Sequence, residues 1–166
     1  MRAARFAGLC VGTVVLQVVL FPHLRIAGVV PDVGLVVAIA VGYQRGPEAG
    51  AAVGFATGFG FDLFLDTPVG LNALVYGLVG YTVGVLQSGM LRTPRALPVL
   101  LGLAAGVAGG LLLVAVGVLI GIDAVKGVHG LETVVLAGCY DALLAPIAFW
   151  AVPRVLGRDD AVHRAW

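Results

Sequence analysis

The chain alternates long apolar runs with short polar breaks, and the runs do not show the every-other-residue alternation of a half-buried strand. Stretches such as LLLVAVGVLIG (111–121) are apolar on all sides. A transmembrane barrel would instead show segments of about ten residues with alternating hydrophobicity. With roughly 20 residues needed to cross the hydrocarbon core, the pattern predicts six helices, at 5–22, 29–43, 48–65, 70–91, 97–121 and 132–154. They make up a single transmembrane domain covering residues 1–166. The second segment is the short one. Between Pro31 and Tyr43 there is only about 20 Å of helix at 1.5 Å per residue. It must begin before Pro31, be buried against its neighbours, or fail to cross, and a five-span arrangement with a re-entrant second segment stays open.

The breaks carry turn chemistry. QRGPE (44–48) and RTPR (92–95) are tight turns punctuated by Gly or Pro. In DTPVG (66–70), Thr67 is pushed away from α geometry by Pro68, which suits the first turn of the next helix. Charge sets the orientation. A cytoplasmic N-terminus places Arg2, Arg5, Arg45, Arg92, Arg95, Arg154, Arg158 and Arg164 inside and leaves only Arg25 and Lys126 outside. That bias follows the positive-inside rule, and an odd number of spans would spoil it. The expected fold is therefore an all-α integral membrane protein, a six-helix bundle with both termini in the cytoplasm.

Composition strengthens the membrane reading. Of 166 residues, 60% are hydrophobic and 11% charged, with mean hydropathy +1.06, against roughly 25% charged in soluble domains. The apolar N-terminus has no convincing signal-peptidase site and is expected to stay as the first helix. A net charge of +1 gives no footprint for nucleic acid. Cys10 and Cys139 lie inside apolar runs and form no disulfide framework.

Glycine is the other signal. Gly46, Gly50, Gly54 and Gly58 recur every fourth residue, and the same step leads to Asp62 and Asp66. Gly102, Gly106 and Gly110 repeat the spacing in the fifth helix. Small residues at this interval let membrane helices approach closely, so both series are expected at helix contacts. GFATGFGFD is not a phosphate-binding loop, since it lacks a preceding strand and a following lysine.

Three carboxylates stand out within or beside the apolar segments. Asp66 adjoins the turn and is expected to cap it. Asp62 lies one turn deeper, and Asp141 falls near mid-span, where an aspartate costs about 2.5–3.5 kcal/mol on insertion scales. Asn72, Tyr76, Tyr81 and Tyr140 are the nearby hydrogen-bonding candidates. Pro146 removes an amide from the last helix and is expected to kink it near Asp141. These carboxylates are either partner or pathway contacts or buried polar glue. No Ser/His/Asp set, Cys/His cluster or metal-spaced run appears. The trio Asp123, His129 and Glu132 reads as a solvated loop. Nothing points to an enzyme or to a cofactor.

Three segments resemble the MreD family of rod shape-determining proteins: PDVGLVVAIAVGYQRGPEAGAAVGF (31–55), GFATGFGFDLFLDTPVGLNALVYGLVGYTVG (54–84) and YDALLAPIAFWAVPRVL (140–156). The middle one carries the GF-x-x-G-x-x-x-D spacing and is the most specific. Family members often have Asn in the last segment where this chain has Asp141. The resemblance implies a non-enzymatic component of the elongasome in the bacterial inner membrane, supporting peptidoglycan synthesis and rod cell shape. It implies MreC as the partner, with RodA, its class B penicillin-binding protein and, indirectly, MreB in the same assembly. Membrane lipids surround it, and a homo-oligomer is left open. The Asp62–Asp66 end is expected to contact the partner. The family's fold is similar to that of substrate-binding components of energy-coupling-factor transporters, so the alternative function is vitamin binding. A third reading is a proton-coupled transporter using Asp62 and Asp141.

Overall fold

The structure, a computed structural model, describes residues 2–24, 29–64, 69–88, 97–119 and 130–157. It is all-α: helices α1 (Arg2–Val15), α2 (Val33–Arg45), α3 (Pro47–Asp62), α4 (Leu71–Ser88), α5 (Leu97–Leu119) and α6 (Gly130–Leu156). The first helix continues through a π turn at Leu16–Leu20 and a 3-10 turn at Phe21–Leu24. Three stretches, Ala3–Leu20, Val99–Val116 and Val134–Leu156, are long and apolar enough to cross a bilayer, while Val33–Arg45 and Leu71–Gln87 are shorter apolar helices. Large apolar side chains such as Phe55, Leu78, Leu111 and Ile147 are exposed on the outer faces, as expected where lipid rather than water is the solvent. This is an all-α membrane protein.

The short second helix is the centre of the bundle. It starts at Val33, two residues after Pro31, and Ala38, Ile39, Ala40 and Val41 have no exposed surface. One of its faces packs with Val53 of α3 and Ala145, Ala148 and Val152 of α6. Another packs with Val75, Tyr76 and Val79 of α4 and Ala105 of α5. Of the three outcomes open to a 13-residue segment, burial against neighbours is the one realised.

Gly46 makes the turn from α2 to α3 with a single residue. Its φ of 90° is open to glycine, and its N–H closes α2 on the Gly42 carbonyl at 2.9 Å. Pro47 and Glu48 then begin α3, where a missing amide and a negative charge are both favourable. The predicted five-residue turn is thus mostly helix. Residues 65–68, 89–96 and 120–129, with Asp66, Thr67, Pro68 and the trio's Asp123 and His129, lie outside the described residues.

α3 and α4 run antiparallel with backbones in contact. A Cβ added at Gly54 would meet the Tyr76 carbonyl, and one at Gly58 would meet Asn72 and Ala73 main chain, all under 3.0 Å. Gly50 faces both Gly42 of α2 and Gly80 of α4, so three glycines from three helices share one crossing. On the other side, Gly102 and Gly106 of α5 abut Ala142, Ala145 and Asp141 of α6, and Gly110 abuts Val134. In contrast, Cβ atoms at Gly8 and Gly12 of α1 would meet nothing within 4 Å.

α6 is one continuous helix through Pro146 and Pro153. Pro153 has no amide to offer the Phe149 carbonyl one turn back. Gln44 of α2 fills that role, donating from Nε2 at 3.0 Å.

Substituting alanine at the two kinds of glycine should therefore separate cleanly. Gly54→Ala forces α3 and α4 apart and should lower stability by about 1–3 kcal/mol. Gly12→Ala meets no atom and should leave stability unchanged or raise it by up to about 1 kcal/mol through helix propensity. Thermal unfolding of the detergent-solubilised protein measures both.

Candidate functional site

The polar groups inside the bundle form two hydrogen-bonded centres, each at the N-terminus of a helix. This placement follows from the backbone. The first four amides of a helix have no partner within it, and at membrane depth each unsatisfied one costs several kcal/mol.

The first centre is Asp62, the last residue of α3, with 1% of its surface exposed. Gly70 precedes α4, with φ 104° and its carbonyl accepting from Leu74 at 2.9 Å, but has no side chain with which to cap the helix. Asp62 supplies the cap from the neighbouring helix. Its Oδ2 accepts from the amides of Gly70 at 2.8 Å and Ala73 at 3.3 Å, and its Oδ1 from the Asn72 amide at 3.3 Å. The Asn72 side-chain Nδ2 adds a fourth bond, to Oδ1 at 2.6 Å. A carboxylate at a helix N-terminus is also favoured by the helix dipole.

The second centre surrounds the start of α2. Asp32 is its N-cap, accepting from Leu35 N at 3.1 Å through Oδ1, while the Tyr76 hydroxyl of α4 donates to Oδ2. The Asp32 amide donates to Oδ1 of Asp141 on α6 at 2.8 Å. Gln17, in the π turn that follows α1, brackets the same segment. Its Nε2 donates to the Pro31 carbonyl at 3.1 Å, and its Oε1 accepts from Val33 N at 2.8 Å. Side chains from the π turn after α1, from α4 and from α6 thus converge on one helix end.

Asp141 reaches this point because of the glycine opposite. A Cβ at Gly106 would lie 2.9 Å from Oδ2, 3.1 Å from the Gly138 Cα and 3.2 Å from the Asp141 Cβ, so glycine lets the carboxylate sit between α5 and α6 without displacement. Asp141 and Tyr76 are each 1% exposed and Gln17 is buried, while Asp32 is partly exposed.

Among the sequence candidates, the structure brings Asp62 and Asn72 together in one centre, and Asp141 and Tyr76 in the other. Asp66 lies outside the described residues. Pro146 lies on an exposed stretch of α6, five residues beyond Asp141. Two members were missed, Asp32 and Gln17. Asp32 had a readable signal, an Asp three residues before the Leu35 amide it accepts from, following Pro31. Gln17 had a weaker one, as the sole amide side chain in an otherwise apolar first span. Among the described residues no three His, Cys, Asp or Glu side chains gather as a metal site.

A family model described as rod shape-determining protein MreD matches residues 5–150. The chain belongs to the MreD family. The matched region includes both polar centres and every helix, stopping within α6 beyond Asp141. Membership implies a role in determining rod shape, and it places this membrane protein in the rod-shape system. No curated protein and no solved structure matched the chain.

Within this MreD-family chain, removing an acceptor should cost more than removing a donor. Asp62→Ala strands three backbone amides and the Asn72 amide, and should destabilise the fold by on the order of 3 kcal/mol or more. Asn72→Ala removes one bond and should cost about 1 kcal/mol. The yield of monodisperse protein and its unfolding temperature report both, and equal effects would discredit the capping role of Asp62.

Proposed function

We propose that this chain is a non-catalytic, multi-pass scaffold of the bacterial cytoplasmic membrane, with both termini in the cytoplasm. It binds MreC and so supports peptidoglycan synthesis by the elongation machinery, including RodA and its class B penicillin-binding partner. Family membership carries this reading, and the use made of the polar groups supports it. In an enzyme or a transporter, buried carboxylates face a cavity or pathway. Here the oxygens of Asp62 and Asp32, and Oδ1 of Asp141, accept bonds from helix ends and neighbouring side chains. Such groups favour a fixed shape, which suits a protein that holds others in place. The same bonding supports a structural role for Asp62 over direct contact with a partner.

The vitamin-binding alternative calls for a pocket with a few convergent polar groups. The cavity between α1, α2 and α6 is lined by apolar residues apart from Thr13, whose hydroxyl donates to its own helix at Leu9 O.

Affinity-tagged chain extracted from membranes of its own host should bring MreC with it, with or without added small molecules. Its depletion should turn rod-shaped cells round. Rods that persist after depletion, or MreC that remains in the unbound fraction, would refute the scaffold reading.

A further inference from the structure

A cleft of about 470 Å³ opens on the outer surface of the bundle between α1, α2 and α6. One wall comprises Gly8, Leu9, Gly12 and Thr13 of α1 with Leu16 of the π turn, and the α6 wall includes Ile147, Ala151 and Val155. The two glycines give the cleft its depth, since nothing lies within 4 Å of a Cβ at either position. Every other glycine at a helix crossing in the core is filled by a neighbouring backbone or side chain. Leu16, Ile147 and Val155 are all exposed along the rim, so the cleft is open to the bilayer.

The charge at one end names the occupant. Arg5 lies on the same face of α1 as Leu9, Gly12 and Leu16, at the spacing that stacks residues along a helix. Arg154 stands between the lining residues Val152 and Val155 of α6, its guanidinium 3.7 Å over the Trp150 ring and donating to the Trp150 carbonyl at 2.7 Å. Arg5 reaches the end of α6, where a Cβ at Gly157 would stand 2.8 Å from its Nη1. Arg45 donates to the carbonyl of that same Gly157. Neither Arg5 nor Arg154 forms an ion pair among the described residues. A helix C-terminus offers only about half a negative charge to Arg5 and Arg154. An apolar cleft at membrane depth with an excess of positive charge at its mouth matches one molecule in two parts: an acyl chain below and an anionic headgroup above.

We propose that the cleft is a binding site for an anionic phospholipid, its acyl chain lying along Gly8 and Gly12 and its phosphate between Arg5 and Arg154. The assignment is independent of MreC binding and stands or falls separately from it.

The test uses full-length protein reconstituted into vesicles of phosphatidylglycerol and phosphatidylcholine in equal parts, then extracted mildly and weighed by native mass spectrometry. The unaltered chain should retain phosphatidylglycerol in preference to phosphatidylcholine, by roughly fivefold for each arginine. Arg5→Gln with Arg154→Gln should keep a bound lipid but bring the two headgroups to near parity. Gly8→Leu with Gly12→Leu should remove the bound lipid of either kind while the unfolding temperature holds, because those positions face open space. Equal retention by the unaltered chain, or a preference that survives loss of both arginines, overturns the proposal. So does lipid that persists in the leucine variant. A photo-reactive residue at Ile147 that links to a protein helix instead of lipid in native membranes overturns it too.

Discussion

Everything in this bundle depends on satisfying the backbone amides at the buried start of α2. The helix has 13 residues, about 20 Å, and it begins level with Asp141, some 15 residues from the end of α6. Its N-terminus is set among side chains of α4, α6 and the π turn after α1. The amides of Asp32, Val33 and Leu35 are each bonded by a side chain, and that need explains why Gln17, Asp32, Tyr76 and Asp141 stand in apolar surroundings. With the end satisfied, the stretch from Gly34 to Gly42 can be wholly apolar and enclosed, and the other helices pack around it.

The glycines supply the complementary half of the construction. In lipid no hydrophobic drive brings helices together, so contact area and close approach must do so. Gly42, Gly50 and Gly80 meet at one crossing, Gly54 and Gly58 extend it along α4, and Gly106 clears space for a carboxylate. Hydrogen bonds fix the register of helices that these contacts have already brought close. α1 is attached differently. Its glycines are unfilled, and its principal polar tie is Gln17 at the far end, which leaves the cleft beside α6.

How much of this was legible follows the range of each signal. Helix count and class were plain in the run lengths, because lipid imposes a simple rule of length and polarity. The periodic glycines pointed to close crossings because a four-residue step is a local property. Asp62 was visible as an anomaly, but its partners Gly70, Asn72 and Ala73 belong to the start of the next helix, eight to eleven residues on. Asp32 was passed over because it stands at a segment edge, where a carboxylate looks inexpensive. Gln17 was passed over because it is uncharged and alone. Both became meaningful only when α1 and α6 were seen to meet at the same helix end, a contact 109 residues long in sequence for Asp32 and Asp141. The short QRGPE break was readable as a turn, though only Gly46 leaves the helix.

The distribution of bonds to α2 has a consequence for biogenesis. Its N-terminus is held from one side by the first helix to leave the ribosome and from the other by the last. Until Asp141 arrives, the acceptor that the Asp32 amide uses in the folded chain is missing. The central helix of the fold is thus completed by the final one inserted, and a chain cut short before Asp141 lacks the acceptor of the Asp32 amide.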